Sequence, residues 1–198
     1  MSNEGVDTGR RRFLTRATVA VGGAGALAAL YPFLASMAPS ERAQAAGAPV
    51  EIDVSRLEPG ERLTTEWRGR PVWVVRRSDE MLERLRTQEI RLRDPDSDRD
   101  QQPEYARNLY RSIREEFLVL VGICTHLGCS PLYRPDAPAP EIHEQWTGGF
   151  FCPCHGSYFD LAGRVYAGVP AQLNMAVPPH RYVGDTVLVV GEDEGEAA

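Results

Sequence analysis

Two short segments hold every cysteine of this chain and two of its four histidines. They are Cys124-Thr125-His126-Leu127-Gly128-Cys129 and Cys152-Pro153-Cys154-His155-Gly156-Ser157. Each supplies one Cys–His pair and one further cysteine. The set suits a binuclear iron–sulfur centre in which two thiolates hold one iron and two imidazoles hold the other. Neutral imidazoles in place of two anionic thiolates lower the negative charge of such a centre. Its potential then rises from about −400 mV for all-thiolate plant-type centres to roughly −150 to +300 mV.

Two other uses of these residues stay open at this level. Two cysteines and two histidines also make structural zinc sites, but a finger spaces them as CxxC followed by HxxxH. Here each half carries one of each, with one residue between Cys124 and His126 and two between Cys152 and His155. Four cysteines in an exported chain can instead form two disulfides. That use leaves both histidines, both glycines and Ser157 without a role.

The spacing CxHxxC followed by CPCHGS resembles that of Rieske proteins, and of the membrane-anchored subunits of quinol–cytochrome c reductases most of all. The resemblance implies Cys124 and Cys152 as the ligating thiolates and His126 and His155 as the ligating imidazoles of a 2Fe-2S cluster. It implies a disulfide between Cys129 and Cys154, a pair that oxygenase-type Rieske domains lack. Such a staple suits two mobile loops, and it requires an oxidising compartment such as the periplasm. Ser157 matches the serine whose hydroxyl donates to a bridging sulfide, and backbone N–H groups around Gly128, residues 153–156 and Ser157 are expected to donate to cluster sulfurs. One departure stands out. Many relatives place a tyrosine two residues after that serine, and this chain has Phe159 there, with Tyr158 on the opposite face of an extended segment. Loss of that hydroxyl implies a lower potential.

Net charge is −6, unevenly spread. Arg10, Arg11, Arg12 and Arg16 against Glu4 and Asp7 make residues 1–16 +2, which leaves −8 for the rest. An acidic head argues against nucleic acid and fits a basic docking partner such as a cytochrome. Residues 17–38 carry no charge. At about 1.5 Å per residue they span ~33 Å of helix, enough for a bilayer core of about 30 Å. Arg10-Arg11-Arg12-Phe13-Leu14 fits the twin-arginine export pattern, which suits a domain folded around its cofactor in the cytoplasm. Cleavage is the alternative, with Ala43-Gln44-Ala45 as the site. The apolar stretch exceeds the usual 7–15 residues of a signal core, so an anchor is expected, with its N-terminus cytoplasmic.

The chain therefore divides into a cytoplasmic segment (1–16), a transmembrane anchor (17–38), a flexible hinge (39–49) and a head (50–198), with a frayed acidic tail at residues 192–196. Arg62–Trp67 and residues 71–75 read as a strand pair around Arg68-Gly69. Residues 78–86 read as a helix capped by Ser78. A loop is expected over 91–102, a short helix over 105–114, and a buried strand over Phe117–Val121 that delivers Cys124. Further strands are expected at 148–151, 158–160, 164–166 and 186–190. The fold class is mainly β: an N-terminal transmembrane helix plus an antiparallel β-sandwich head. The resemblance adds a small inserted cluster-binding subdomain at about 118–168. It also likens Gly168-Val169-Pro170-Ala171 to a proline-rich loop shielding the cluster, loosened here by Gln172 in place of a second proline. His143 and His180 read as surface or turn residues.

Functionally the resemblance implies an oxidoreductase subunit. One electron and one proton would come from ubiquinol, with His155 in contact with the quinol and His126 as the other exposed imidazole. The electron would pass on to a c-type cytochrome. Cytochrome b and cytochrome c-type subunits are the implied partners, in a dimeric complex, with the head in the periplasm and the anchor in the inner membrane. The rivals are the Rieske small subunit of an arsenite oxidase and a zinc-stabilised periplasmic module.

Overall fold

A computed structural model describes residues 7–41, 43 and 47–193. Residues 1–6 of the N-terminal segment, 42 and 44–46 of the expected hinge, most of the candidate cleavage site, and residues 194–196 of the acidic tail lie outside the described residues. The chain divides into two compact units, Met1–Ala45 and Ala46–Ala198.

The first unit is built on helix α1, Thr8–Ala35. Asp7 caps it, its carboxylate accepting from Gly9 N at 3.0 Å and Arg10 N at 3.1 Å. The helix thus starts nine residues ahead of the uncharged stretch, because a capping aspartate precedes four arginines that are good helix formers. It ends at Ala35 rather than at 38, since the residue before Pro39 is steered out of the helical region. Among the described residues none of its side chains is buried, and it is long and apolar enough to cross a membrane.

The second unit holds three antiparallel three-stranded sheets. The first has the order β1–β9–β8, made of Val50–Asp53, Val187–Val190 and His180–Val183. The second is β2–β3–β4, made of Arg62–Trp67, Arg70–Arg76 and Phe117–Val121. The third, β5–β6–β7, comprises Leu132–Arg134, Gly149–Cys152 and Ser157–Phe159, and falls in sequence between β4 and β8. The β2–β3 hairpin turns on Arg68 and Gly69, both at positive φ, which matches the right-handed twist of the flanking strands.

Strands β3 and β4 are buried on both faces, and alternation sorts their residues. Val72, Val74, Phe117 and Val119 pack with Ile52, Leu188 and Val190 of the first sheet and with Val54 just beyond β1. Trp73, Val75, Leu118 and Leu120 pack with Phe150, Phe159, Cys124 and Cys152. Each such buried side chain contributes about 1.5–3 kcal/mol. The middle sheet is thus the floor beneath both cysteine segments.

Helix α2, Asp79–Thr87, is capped by Ser78 as its sequence predicts, the hydroxyl accepting from Met81 N at 3.3 Å. It clamps the third sheet: Arg84 Nη1 donates to the Pro135 and Thr147 carbonyls, and Gln88 Nε2 to Asp160 Oδ2. The helix expected over 105–114 is only one 3-10 turn, Glu104–Ala106. Asn108 explains the difference. Its side chain donates to the Tyr105 and Ser112 carbonyls and accepts from Tyr110 N, which competes with helical bonding. Residues 164–166 form isolated bridges, Phe159 with Val165 and Leu92 with Tyr166, rather than a strand. Strands β1, β5 and β8 add to the strands that the sequence predicts.

Candidate metal centre

The first cysteine loop leaves the end of β4, and the second joins β6 to β7. Both close in the same way. Gly128 N donates to Cys124 O, and Gly156 N donates to Cys152 O, each at 3.1 Å. Both glycines have positive φ (86° and 70°), where a side chain is disfavoured. A second bond, Cys124 N to Cys129 O at 2.7 Å, tightens the first loop. The Gly128 and Gly156 amides thus close the two loops.

The four cysteines take two separate states. Cys129 and Cys154 form a disulfide that ties the loops together. Cys124 and Cys152 are free thiols, both buried. The sulfurs of Cys129, Cys152 and Cys154 lie within 4.8 Å of one another, yet two of these three are bonded to each other and have no thiolate to offer. Cys124 is in reach of Cys152 and of the Ser157 hydroxyl. Burial pushes the Cys124 thiol up; the His126 backbone N–H and Ser157 pull it down, and Cys152 pushes it up further.

His126 and His155 face each other at the loop tips, ring centroids 4.7 Å apart and planes 88° apart. His155 is exposed and His126 half-buried. Nδ1 of His126 is buried without a hydrogen-bond partner. Two dry thiols, a pair of adjacent imidazoles and an orphaned ring nitrogen fit a metal centre with mixed sulfur and nitrogen ligation.

A third segment fastens both loops. Ser157 Oγ accepts from Ala171 N at 3.1 Å, and Thr125 Oγ1 donates to Leu173 O at 2.6 Å. Ser157, already accepting from Ala171, has its own proton left to give. Gln172 turns its amide back onto Pro170 O at 3.0 Å, so the loop closes on itself where a second proline was expected. Neither Thr125 nor the Ala171 amide was singled out from the sequence. His143 lies instead beside Tyr158 and Tyr166. His180, expected at the surface or in a turn, is fully buried at the start of β8, with Nδ1 bonded to Pro178 O at 2.8 Å.

Phe159 is fully buried on the face of β7 that it shares with Ser157, in the same core as Cys124 and Cys152. Tyr158 points the other way and stacks on Phe151, ring centroids 5.5 Å apart.

Comparison with known proteins agrees with this geometry. A family profile described as "Rieske [2Fe-2S] domain" matches residues 49–180, and one described as "Ubiquitinol-cytochrome C reductase Fe-S subunit TAT signal" matches residues 1–40. The chain is 56% identical over 197 residues to the ubiquinol-cytochrome c reductase iron-sulfur subunit of Allochromatium vinosum, covering 100% of this chain and 95% of that one. The corresponding subunit of Bradyrhizobium diazoefficiens is 41% identical over 92% of this chain and 94% of that one. A solved structure titled "Hyperthermophilic respiratory Complex III" aligns over 87% of this chain and 98% of that chain, at 29% identity and a TM-score of 0.48. By the cysteine–histidine loops, the profile over most of the head and full-length identity to these relatives, the chain belongs to the Rieske iron–sulfur subunits of ubiquinol–cytochrome c reductase.

Proposed function

We propose that Cys124 and Cys152 hold one iron and His126 and His155 the other iron of a 2Fe-2S cluster that takes an electron from ubiquinol and delivers it to a c-type cytochrome. The observation that carries this reading is the separation of roles at one tip: two buried thiols, two facing imidazoles and a disulfide between the loops. When bound, the cluster supplies a one-electron acceptor of high potential.

The chain's residues do the rest. His155, exposed at the tip, accepts a hydrogen bond from the quinol hydroxyl and then its proton, and His126 presents the second imidazole beside it. Leu127, next to His126 in the chain, is exposed and offers an apolar side chain to a docking partner. Ser157 accepts from Ala171 N and hydrogen-bonds the Cys124 thiol, so its hydroxyl can donate to the sulfur side and favour the more negative, reduced state. The disulfide and the segment at 168–173 keep solvent from entering between the loops.

Helix α1, together with the export-signal match, supports a chain that is anchored in or exported across a membrane. The finer reading is an inner-membrane, single-pass anchor with the head in the periplasm, docked against cytochrome b and cytochrome c-type subunits of a dimeric complex. Boundaries at 1–16, 17–38, 39–49 and 50–198, with cluster binding at 118–168, accompany it.

Low-temperature EPR of the purified protein, with iron and acid-labile sulfide assays, tests the assignment. A mixed histidine–thiolate signal with equal iron and sulfide is the expected result. Zinc without sulfide would mean a purely structural site.

A further inference from the structure

Residues 160–164 follow β7 and form a buried turn, with Gly163 N donating to Asp160 O. Asp160 is saturated. Its Oδ1 accepts from Ala162 N and Arg164 N, and its Oδ2 from Arg164 Nε and Gln88 Nε2, both at 2.8 Å. Two more guanidiniums grip the turn. Arg77 donates to the Leu161, Tyr110 and Glu115 carbonyls and to Ser112 Oγ. Arg111 donates to the Ala162 and Gly163 carbonyls and to Gln102 Oε1. Among the described residues, neither forms an ion pair.

The buried charged side chains of the head are Arg77, Arg111, Arg164, Asp94 and Asp160, one positive charge in excess. Burial pulls Arg77 down to about 9 and Arg111 to about 10, Asp160 pulling each back up, so both stay charged at neutral pH. A buried cation without a counter-charge is costly. Arg111 adds two further costs: an orphaned buried Nε and a backbone φ of 50°, disfavoured for a residue with a side chain. Three unfavourable features kept at one residue point to a role other than folding.

The turn starts three residues after Ser157, and Leu161 and Ala162 share one apolar core with Cys124 and Cys152. The turn that both guanidiniums grip therefore belongs to the same core as the two thiols, an interior where charge acts strongly and salt screens little. We propose that Arg77 and Arg111 are fixed buried charges that raise the reduction potential of the group held by Cys124, Cys152, His126 and His155. Adding an electron makes that site more negative by one unit, and a nearby cation favours the more negative state. The inference rests on the ligand assignment above.

The test is a redox titration monitored by EPR on the purified full-length protein in detergent, at low and high salt, with iron content assayed. Arg111→Gln and Arg77→Gln should each lower the reduced-to-oxidised ratio at fixed potential three- to tenfold, about 28–59 mV, equally at both salt concentrations. Arg111→Lys should recover at least half of the shift. Asp160→Asn should move the potential the other way, whereas mere loosening of the turn would move all variants alike. Gln variants that keep full iron and the parent midpoint overturn the proposal, as does a downward shift in Asp160→Asn. If Arg111→Gln does not accumulate, Arg77→Gln carries the same prediction. Failure of the ligand assignment would show separately, as a missing mixed-ligand signal in the parent protein.

Discussion

A hydroxyl beside a cluster sulfur favours the electron-rich state, and Phe159 shares the Ser157 face of β7 and the core that holds Cys124 and Cys152. The phenyl ring is fully buried on the Ser157 face, whereas Tyr158 is held away by its stack on Phe151. Phe159→Tyr should therefore raise the midpoint by some tens of millivolts, a fraction of the roughly 1.5–3 kcal/mol that a hydrogen bond to a charged group contributes. Tyr158→Phe should leave it in place. Protein-film voltammetry of both variants checks this, and a drop in Tyr158→Phe alone would contradict the register of β7. Replacing Cys124, His126, Cys152 or His155 with Ala should abolish the cluster, read as iron content; full iron in any one removes that residue from the ligand set. These candidates were legible because each ligand pair sits within four residues in the chain. Thr125 and the Ala171 amide were not. Their partners lie 48 and 14 residues away, and a threonine hydroxyl or a backbone N–H carries no sequence mark of what it will meet.

Elements with strong local signals came through: the β2–β3 hairpin, the Ser78-capped helix and the buried strand β4. Strands β1, β5 and β8, absent from the sequence reading, are only three or four residues long; β1 and β5 draw their order from partners well along the chain, whereas β8 is a short edge strand hairpinned onto β9. Strand β8 opens on His180, buried between Tyr105 and Tyr182. Burial pulls its imidazole below the ordinary value, the Pro178 carbonyl and then Asp193 pulling it back up. The unfolded chain takes up that proton near pH 6.5 while the folded head resists, so stability present above about 6.5 is lost as pH falls toward the lowered folded value. Melting temperature should thus decline on acidification from pH ~7.5 to ~5.5, and His180→Phe should flatten that slope relative to the parent; an unaltered slope counts against it. The loop staple makes its own prediction. It closes a separation of 25 residues, for which chain entropy gives about 3–4 kcal/mol. Cys129→Ser or Cys154→Ser should load iron normally and then lose it faster, followed by the decay of the visible absorbance.

For the whole molecule, helix α1 carries the export motif and the apolar span in one continuous element. Replacing Arg10 and Arg11 together with Lys should trap the folded precursor in the cytoplasm, measured by fractionation; normal export would dissociate the arginines from targeting. N-terminal sequencing of membrane-bound protein should find the start intact, and a terminus near residue 46 would mean the helix is removed. The proposed export of a folded head has a consequence for the Cys129–Cys154 disulfide. The Cys129–Cys154 crosslink needs an oxidant that a reducing cytoplasm withholds, so on that reading it would close only after crossing. Each molecule would thereby keep a covalent travel record: chains that have crossed would weigh two hydrogens less than those still waiting. Intact mass alone would sort a mixed population by which side of the membrane each head has reached.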